Sequence, residues 1–120
     1  MNERKALGDY GEQLAAKEYR RRRYRILDRG YRTRFGEIDL IAEDGEYIVF
    51  AEVKLRKNDH FSAASEAVDS RKQQRIRRTA AMWLSNRNTE KQPRFDVVEI
   101  YTERLPQADA PEIHIIENAF

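Results

Sequence analysis

The sequence predicts an α/β protein: a mixed central β-sheet flanked by helices, in the order α-β-β-β-α-β-β. Apolar residues recur at helical spacing over 3–22 and within 64–86. Five short runs rich in β-branched and aromatic residues read as strands. A strand, a helix and a further strand over the middle of the chain imply one right-handed crossover onto the sheet, with the helices packed on its faces.

Along the chain, Leu7, Tyr10, Leu14 and Ala15 mark the apolar stripe of the first helix. Residues 24–32 (YRILDRGYR) form the first expected strand. Residues 36–43 (GEIDLIAE) and 47–56 (YIVFAEVKLR) form the next two, joined by Asp44-Gly45, a strong hairpin-turn signal. Ile76, Ala80, Trp83 and Leu84 lie on one stripe of the second helix, which makes them core. Residues 94–102 (RFDVVEIYT) and 112–117 (EIHIIE) supply the last two strands, around a Pro-bearing loop from Leu105 to Pro111. Tyr19, Tyr24 and Tyr31 are expected to pack on helix and sheet, His60 to lie in a surface loop and His114 to be structural. The 120 residues fit one domain, 1–120, with no repeat or linker to divide it.

Composition narrows the chemistry. Apolar residues make up 40% of the chain, enough for a core, and charged residues 37%, well above the usual quarter. The absence of cysteine excludes disulfides and thiolate metal sites. Two distant histidines, His60 and His114, make a zinc site a poor fit, so a bound metal would be held by carboxylates, which favours Mg²⁺, Mn²⁺ or Ca²⁺. No apolar run approaches the ~20 residues of a membrane span. The opening MNERKALGDYGEQ lacks the apolar stretch of a signal peptide, so a cytoplasmic protein with no membrane partner is expected.

The net charge of +2 conceals segregation. Residues 1–35 carry 11 Lys/Arg against 5 Asp/Glu, and residues 70–94 carry 8 against 1. The segment between them carries 3 against 9. Two basic blocks flanking an acidic centre suit a polyanion bound around a cation-holding carboxylate cluster. Solvated helix faces are the plainer reading of either block alone.

Strand parity locates the acidic centre. In 47–56, Ile48, Phe50, Glu52, Lys54 and Arg56 share one face, and Tyr47, Val49, Ala51, Val53 and Leu55 the other. Both faces are apolar through residue 51, which marks a central strand. Charges that emerge at the end of a buried strand are costly unless paired or metal-bound. A two-residue turn at Asp44-Gly45 places Asp39 opposite Phe50 and Glu37 opposite Glu52, with Asp39 diagonal to Glu52 on the same face. A one-residue slip would move Asp39 to the other face. Converging carboxylates repel and raise one another's pKa unless a cation sits among them. Small residues at Gly8, Ala15 and Ala16 would let the first helix lie close to the sheet, with Glu12 either aimed at the hairpin's charged end or left in solvent. A Glu-Lys structural ion pair beside an exposed aspartate is the alternative reading of the hairpin.

Asp39, followed after twelve residues by Glu52-Val53-Lys54, resembles the PD-D/E-x-K nuclease pattern. More widely, GDYGEQLAAKEY (8–19), YRILDRGYR (24–32), GEIDLIAEDG (36–45), VFAEVKLR (49–56), EAVDSRKQQRI (66–76) and RFDVVEI (94–100) resemble the YraN-like family of small bacterial endonuclease-like proteins. The resemblance implies a restriction-endonuclease-like fold, similar to Holliday-junction resolvases. It implies metal ligation at Asp39 and Glu52, joined by Glu12, and a water- and phosphate-positioning role for Lys54. It also implies a polar residue from the following helix, Lys72 or Gln73. Ile38 replaces the usual proline of the pattern, and Leu55 replaces a small residue on the face away from the chemistry. Resolvase-like enzymes act as dimers, so a homodimer is among the assemblies the resemblance allows.

The expected activity is therefore Mg²⁺- or Mn²⁺-dependent hydrolysis of DNA phosphodiesters. Asp39, Glu52 and Lys54 would be catalytic, Glu12 a further metal ligand and Glu37 an accessory acid. Arg20, Arg21, Arg22 and Arg23 cluster at the end of the first helix, and Arg71, Arg75 and Arg78 share one face of the second. Both groups are candidates for sequence-independent backbone contacts. No base-reading module is evident, which favours recognition of DNA structure over sequence. A non-catalytic nucleic-acid-binding module of the same fold, acting in DNA processing or repair, is the first alternative. An interaction subunit with an acidic centre is the second, and it leaves the basic blocks unexplained.

Overall fold

The computed structural model describes residues 3–56, 68–101 and 111–120. His60, the expected start of the second helix at 64–67 and most of the expected 105–111 loop lie outside the described residues. The element order is α1 (Glu3–Arg21), β1 (Arg25–Thr33), β2 (Gly36–Glu43), β3 (Tyr47–Arg56), α2 (Ser70–Ser85), β4 (Gln92–Tyr101) and β5 (Glu112–Ile116). This is the α-β-β-β-α-β-β order that hydrophobic periodicity predicts. The strands form one mixed sheet in the order β1-β2-β3-β4-β5, antiparallel except for the parallel pair β3–β4. The doubly apolar β3 is central, as its pattern requires. No helix among the described residues is long and apolar enough to cross a membrane.

Two apolar layers hold the sheet between the helices. On one side Ile76, Ala80 and Trp83 of α2 bury against Ile41, Ile48, Phe50, Phe95 and Val97. Each large side chain withdrawn there contributes roughly 1.5–3 kcal/mol. The Asp69 carboxylate caps α2 by accepting from the Lys72 N–H at 2.9 Å, which starts the helix at Ser70.

On the other side α1 presents Gly11, Ala15, Ala16 and Tyr19; of the expected stripe Ala15 is buried and Leu14 packs at its edge, whereas Leu7 and Tyr10 are only partly covered. Its tight contact is at Gly11, where a Cβ would lie 3.2 Å from Leu55, whereas Gly8 faces open space. Small residues bring the helix axis near the sheet, and Leu55 fills the space from below. The longer apolar side chains at the helix start are therefore only partly covered.

α1 ends in a Schellman motif: the Tyr24 N–H reaches the Tyr19 carbonyl and the Arg23 N–H the Arg20 carbonyl, both at 2.9 Å. Arg23 takes the left-handed position at φ 70°, where a side chain is strained. Arg23→Gly is expected to stabilise the fold by roughly 0.5–1 kcal/mol, relief of the side-chain strain outweighing glycine's entropy. Denaturant melts of the two proteins check it, and an unchanged or lower midpoint contradicts it.

The β2–β3 register differs from the expected one. Observed partners are Leu40↔Ala51, Ile41↔Phe50, Ala42↔Val49 and Glu43↔Ile48, and the Asp44 N–H donates to the Tyr47 carbonyl at 3.1 Å, so the turn centres on Gly45-Glu46 rather than on Asp44-Gly45. The cause is the Asp44 carboxylate, which accepts from the N–H groups of Glu46 (2.8 Å) and Tyr47 (2.7 Å) and so holds Asp44 at the start of the turn rather than inside it. Gly45 is not in the left-handed conformation that a two-residue type I′ turn demands. Each β2 residue thus meets a partner two positions further along β3. A shift of two preserves side-chain parity, where a shift of one would have reversed it.

Candidate active site

The β2–β3 ladder stops at Leu40↔Ala51, and the two strands part there. In place of a backbone partner, the Val53 N–H donates to Asp39 Oδ2 at 2.8 Å. Asp39 therefore sits in the fork between two central strands, its carboxylate doing the bonding of a missing peptide group. The fork opens into a cavity of about 460 Å³ lined by Asp39, Glu37, Glu52, Lys72 and Arg75, with the β1–β2 turn at its rim.

Glu12 reaches the same place from α1. One carboxylate oxygen each from Glu12, Glu37 and Asp39 lie within 4.8 Å of one another. Arg29 approaches Glu12 at 3.9 Å and Arg32 approaches Glu37 at 3.3 Å. Of the two readings open for Glu12, the one aimed at the hairpin is realised. Glu52, 8% exposed, faces lysines instead: Lys72 Nζ lies 2.7 Å and Lys54 Nζ 3.6 Å from its Oε1. Of the two α2 candidates, Lys72 joins the cluster. Gln73 turns away and donates from Nε2 to the Val68 carbonyl at 2.9 Å. The site is thus a triad of acids beside a glutamate clasped by two lysines.

The charges perturb one another. Burial raises the Asp39 pKa from 3.8 to about 7; the Glu52 charge adds to the rise, the Val53 N–H opposes it, and Glu12 and Glu37 add further. Burial likewise raises Glu12, against the pull of Arg29. Burial lowers Lys54, and the neighbouring Lys72 reinforces this against Glu52. Lys72 itself is raised: burial works against its charge, but contact with Glu52 prevails.

A carboxyl whose pKa is higher folded than unfolded binds its proton more tightly in the native state. Its ionisation therefore costs stability progressively as pH rises from about 4 to about 7. Asp39→Asn is expected to be nearly neutral at the acid end of that window, and to exceed the native sequence by roughly 2–4 kcal/mol above it. Thermal melts in chelator across this pH range check the prediction. A stability difference that does not grow with pH refutes it.

The candidate phosphate-binding arginines divide. Arg75 borders the site cavity and also a second cleft of about 430 Å³ with Arg71, Gln74, Arg77 and Arg78, so the exposed face of α2 runs directly into the site. Arg20–Arg23 lie at the C-terminal end of α1 and just past it, roughly 14 Å along the helix axis from Glu12 at its middle. There Arg21 and Arg22 pair with Glu18 at 2.6 and 2.9 Å.

Fold and site together define a class: small α/β proteins that gather carboxylates and lysines where the central strands of a mixed sheet part. Within that class, the sequence profile of the uncharacterised protein family UPF0102 matches residues 11–100, and the chain belongs to that family. A UPF0102 protein of Frankia casuarinae is 46% identical over 121 residues, covering the full length of both chains. One from Geobacter metallireducens is 44% identical over 118 residues, 97% of this chain and 93% of its own. One from Vibrio parahaemolyticus is 45% identical over 100 residues, 82% and 83% respectively.

Proposed function

We propose that the protein is a metal-dependent endonuclease that hydrolyses DNA phosphodiesters, selecting DNA structure rather than sequence. One observation carries this reading: Asp39 and Glu52 border a single cavity, with two lysines on the glutamate and the arginine face of α2 at its edge. The donor set is all carboxylate oxygen, which suits a hard cation. Asp39, Glu12 and Glu37 would hold Mg²⁺ or Mn²⁺, with Glu52 adjoining. A cation held there would lower the pKa of a bound water and neutralise charge on the phosphate.

The chain's own groups supply the rest. Lys54 and Lys72 place two ammonium charges beside Glu52, where they stabilise negative charge building on the non-bridging oxygens. The Val53 N–H fixes Asp39 in the fork, so little reorganisation accompanies the reaction. Arg75 draws the backbone in, and the rest of the α2 face extends the contact. The water oxygen forms the new bond to phosphorus as the bond to one bridging sugar oxygen breaks. The water gives up its proton to solvent, and the departing oxygen takes one.

The test is a cleavage assay with Mg²⁺ or Mn²⁺ on four-way junctions, flaps, duplexes and single strands, with EDTA as the blank. Metal-dependent product from a branched substrate is expected. Tight binding with no product on every substrate would instead favour a non-catalytic DNA-binding module.

A further inference from the structure

We propose that the β1–β2 turn and α2 form a clamp, Arg34–Phe35–Arg78, for a DNA phosphate neighbouring the one in the cavity. This deepens the proposed function and rests on it. Thr33 pairs with Gly36, leaving Arg34 and Phe35 as the tip. The tip is braced: the Phe35 N–H donates to Thr33 Oγ1 at 3.1 Å, and that hydroxyl donates to the Gly36 carbonyl at 3.4 Å. Gly36, at φ 154°, lies beside α2, where a Cβ would make ordinary contact with Thr79 Oγ1 at 3.5 Å and Arg75 Cβ at 3.6 Å. The turn is therefore seated on α2.

Two guanidiniums from different elements lie against the one ring at this tip. Arg34 lies 4.9 Å and Arg78 5.3 Å from the centre of the Phe35 ring. Seven of the described arginines pair with carboxylates: Arg21, Arg22, Arg25, Arg29, Arg32, Arg56 and Arg94. Among the described residues neither Arg34 nor Arg78 has a carboxylate within 4 Å. Like charges gathered on one ring repel unless an anion lies between them, while the ring holds each by cation–π attraction. Arg34 and Phe35 line the same cavity as Asp39 and Glu52. A strand with one phosphate in the cavity would run its next phosphates across the pair. Guanidinium forks match phosphate oxygens in geometry as well as charge.

The test is fluorescence anisotropy of a labelled short DNA duplex over a range of salt concentrations, in EDTA. Because no cutting occurs there, binding is read separately from catalysis. Arg34→Ala/Arg78→Ala is expected to reduce the slope of log affinity against log salt by about 2. Phe35→Ala and Phe35→Leu keep both charges and are expected to weaken binding about threefold while nearly preserving the slope. The control is Arg87→Ala, which removes an arginine stacked 4.2 Å over Trp83, outside the cavity, and should leave the slope where it was. An unchanged slope in the double variant overturns the clamp, and so does an equal fall per charge in Arg87→Ala. Normal slopes in these variants alongside Lys54-dependent cleavage would remove the clamp but leave the nuclease. The expected slopes without cleavage would keep the clamp as a DNA-binding surface and remove the nuclease.

Discussion

Lys54→Ala is expected to lower the rate of DNA cleavage by about 10²–10³-fold while changing DNA affinity little, the size of effect seen when one preorganised donor is removed from developing negative charge. The asymmetry between rate and affinity is the informative part. Lys54 is half-buried at the end of a central strand, its ammonium turned to Glu52 at 3.6 Å and away from the arginine face of α2. Its charge matters most where the phosphate gains charge. Lys72 touches the same Glu52 oxygen, so Lys72→Ala should show a smaller loss, and the double variant more than either alone. Lys54→Arg should fail to restore the rate, because a planar fork does not fit the space of a compact ammonium. Single-turnover cleavage with excess enzyme, paired with anisotropy in EDTA, separates the two quantities. Full activity in Lys54→Ala refutes the assignment, and a loss confined to binding reassigns Lys54 to docking.

The second large effect is on stability. Asp96 is fully buried on β4 and accepts four hydrogen bonds: Arg94 Nε and Nη2 at 2.9 Å each, the Tyr19 hydroxyl at 2.7 Å and the Asn118 N–H at 3.1 Å. Arg94 also donates to the Tyr24 hydroxyl at 3.0 Å and lies over the Tyr47 ring at 4.9 Å. Burial opposes the Arg94 charge, but Asp96 holds its pKa above the usual arginine value. Burial and the Asp96 charge push the Tyr19 hydroxyl well up. One carboxylate thus ties α1, β4 and the C-terminal turn together. Asp96→Ala leaves a buried guanidinium with the Tyr24 hydroxyl and, among the described residues, Glu117 as its one carboxylate, 3.4 Å away, and should cost about 3–5 kcal/mol. Replacing both partners, as Arg94→Met/Asp96→Leu, should cost clearly less than the two single changes added together, because no uncompensated charge remains. Urea denaturation of the four proteins checks this, and additive losses refute the coupling.

The strands were legible because parity and turn residues agree over 36–56, where the expected and observed bounds of β2 and β3 coincide. The face of α1 was legible in part: Ala15 and Ala16 make the close approach that their size allows, but the tight glycine is Gly11 rather than Gly8, because its partner, Leu55, is distant in sequence. Asp39 and Glu52 come to one cavity despite the wrong register, since a shift of two keeps parity. What composition could not reveal is that the ladder ends at Leu40, and this fork is what admits Glu12 from the helix. Lys72 and Gln73 were indistinguishable until the cap at Asp69 set the phase of α2. The Arg94–Asp96 pair left a faint signal: two opposite charges at alternate positions of an otherwise apolar strand, on the same face and so able to meet.

The parallel pairing of β3 with β4 bears on how the chain reaches its structure. Every partner in that ladder is 45 positions away, Tyr47 with Gln92 through Arg56 with Tyr101, whereas β1, β2 and β3 follow one another through short turns. Closing the longer loop costs roughly 2 kcal/mol more entropy than closing the hairpin. The three-stranded meander, which already contains the fork and Asp39, is therefore positioned to form early in folding, with β4 arriving late and in concert with α2. Substitutions in the hairpin should then slow folding, while those that loosen β4 should mainly hasten unfolding.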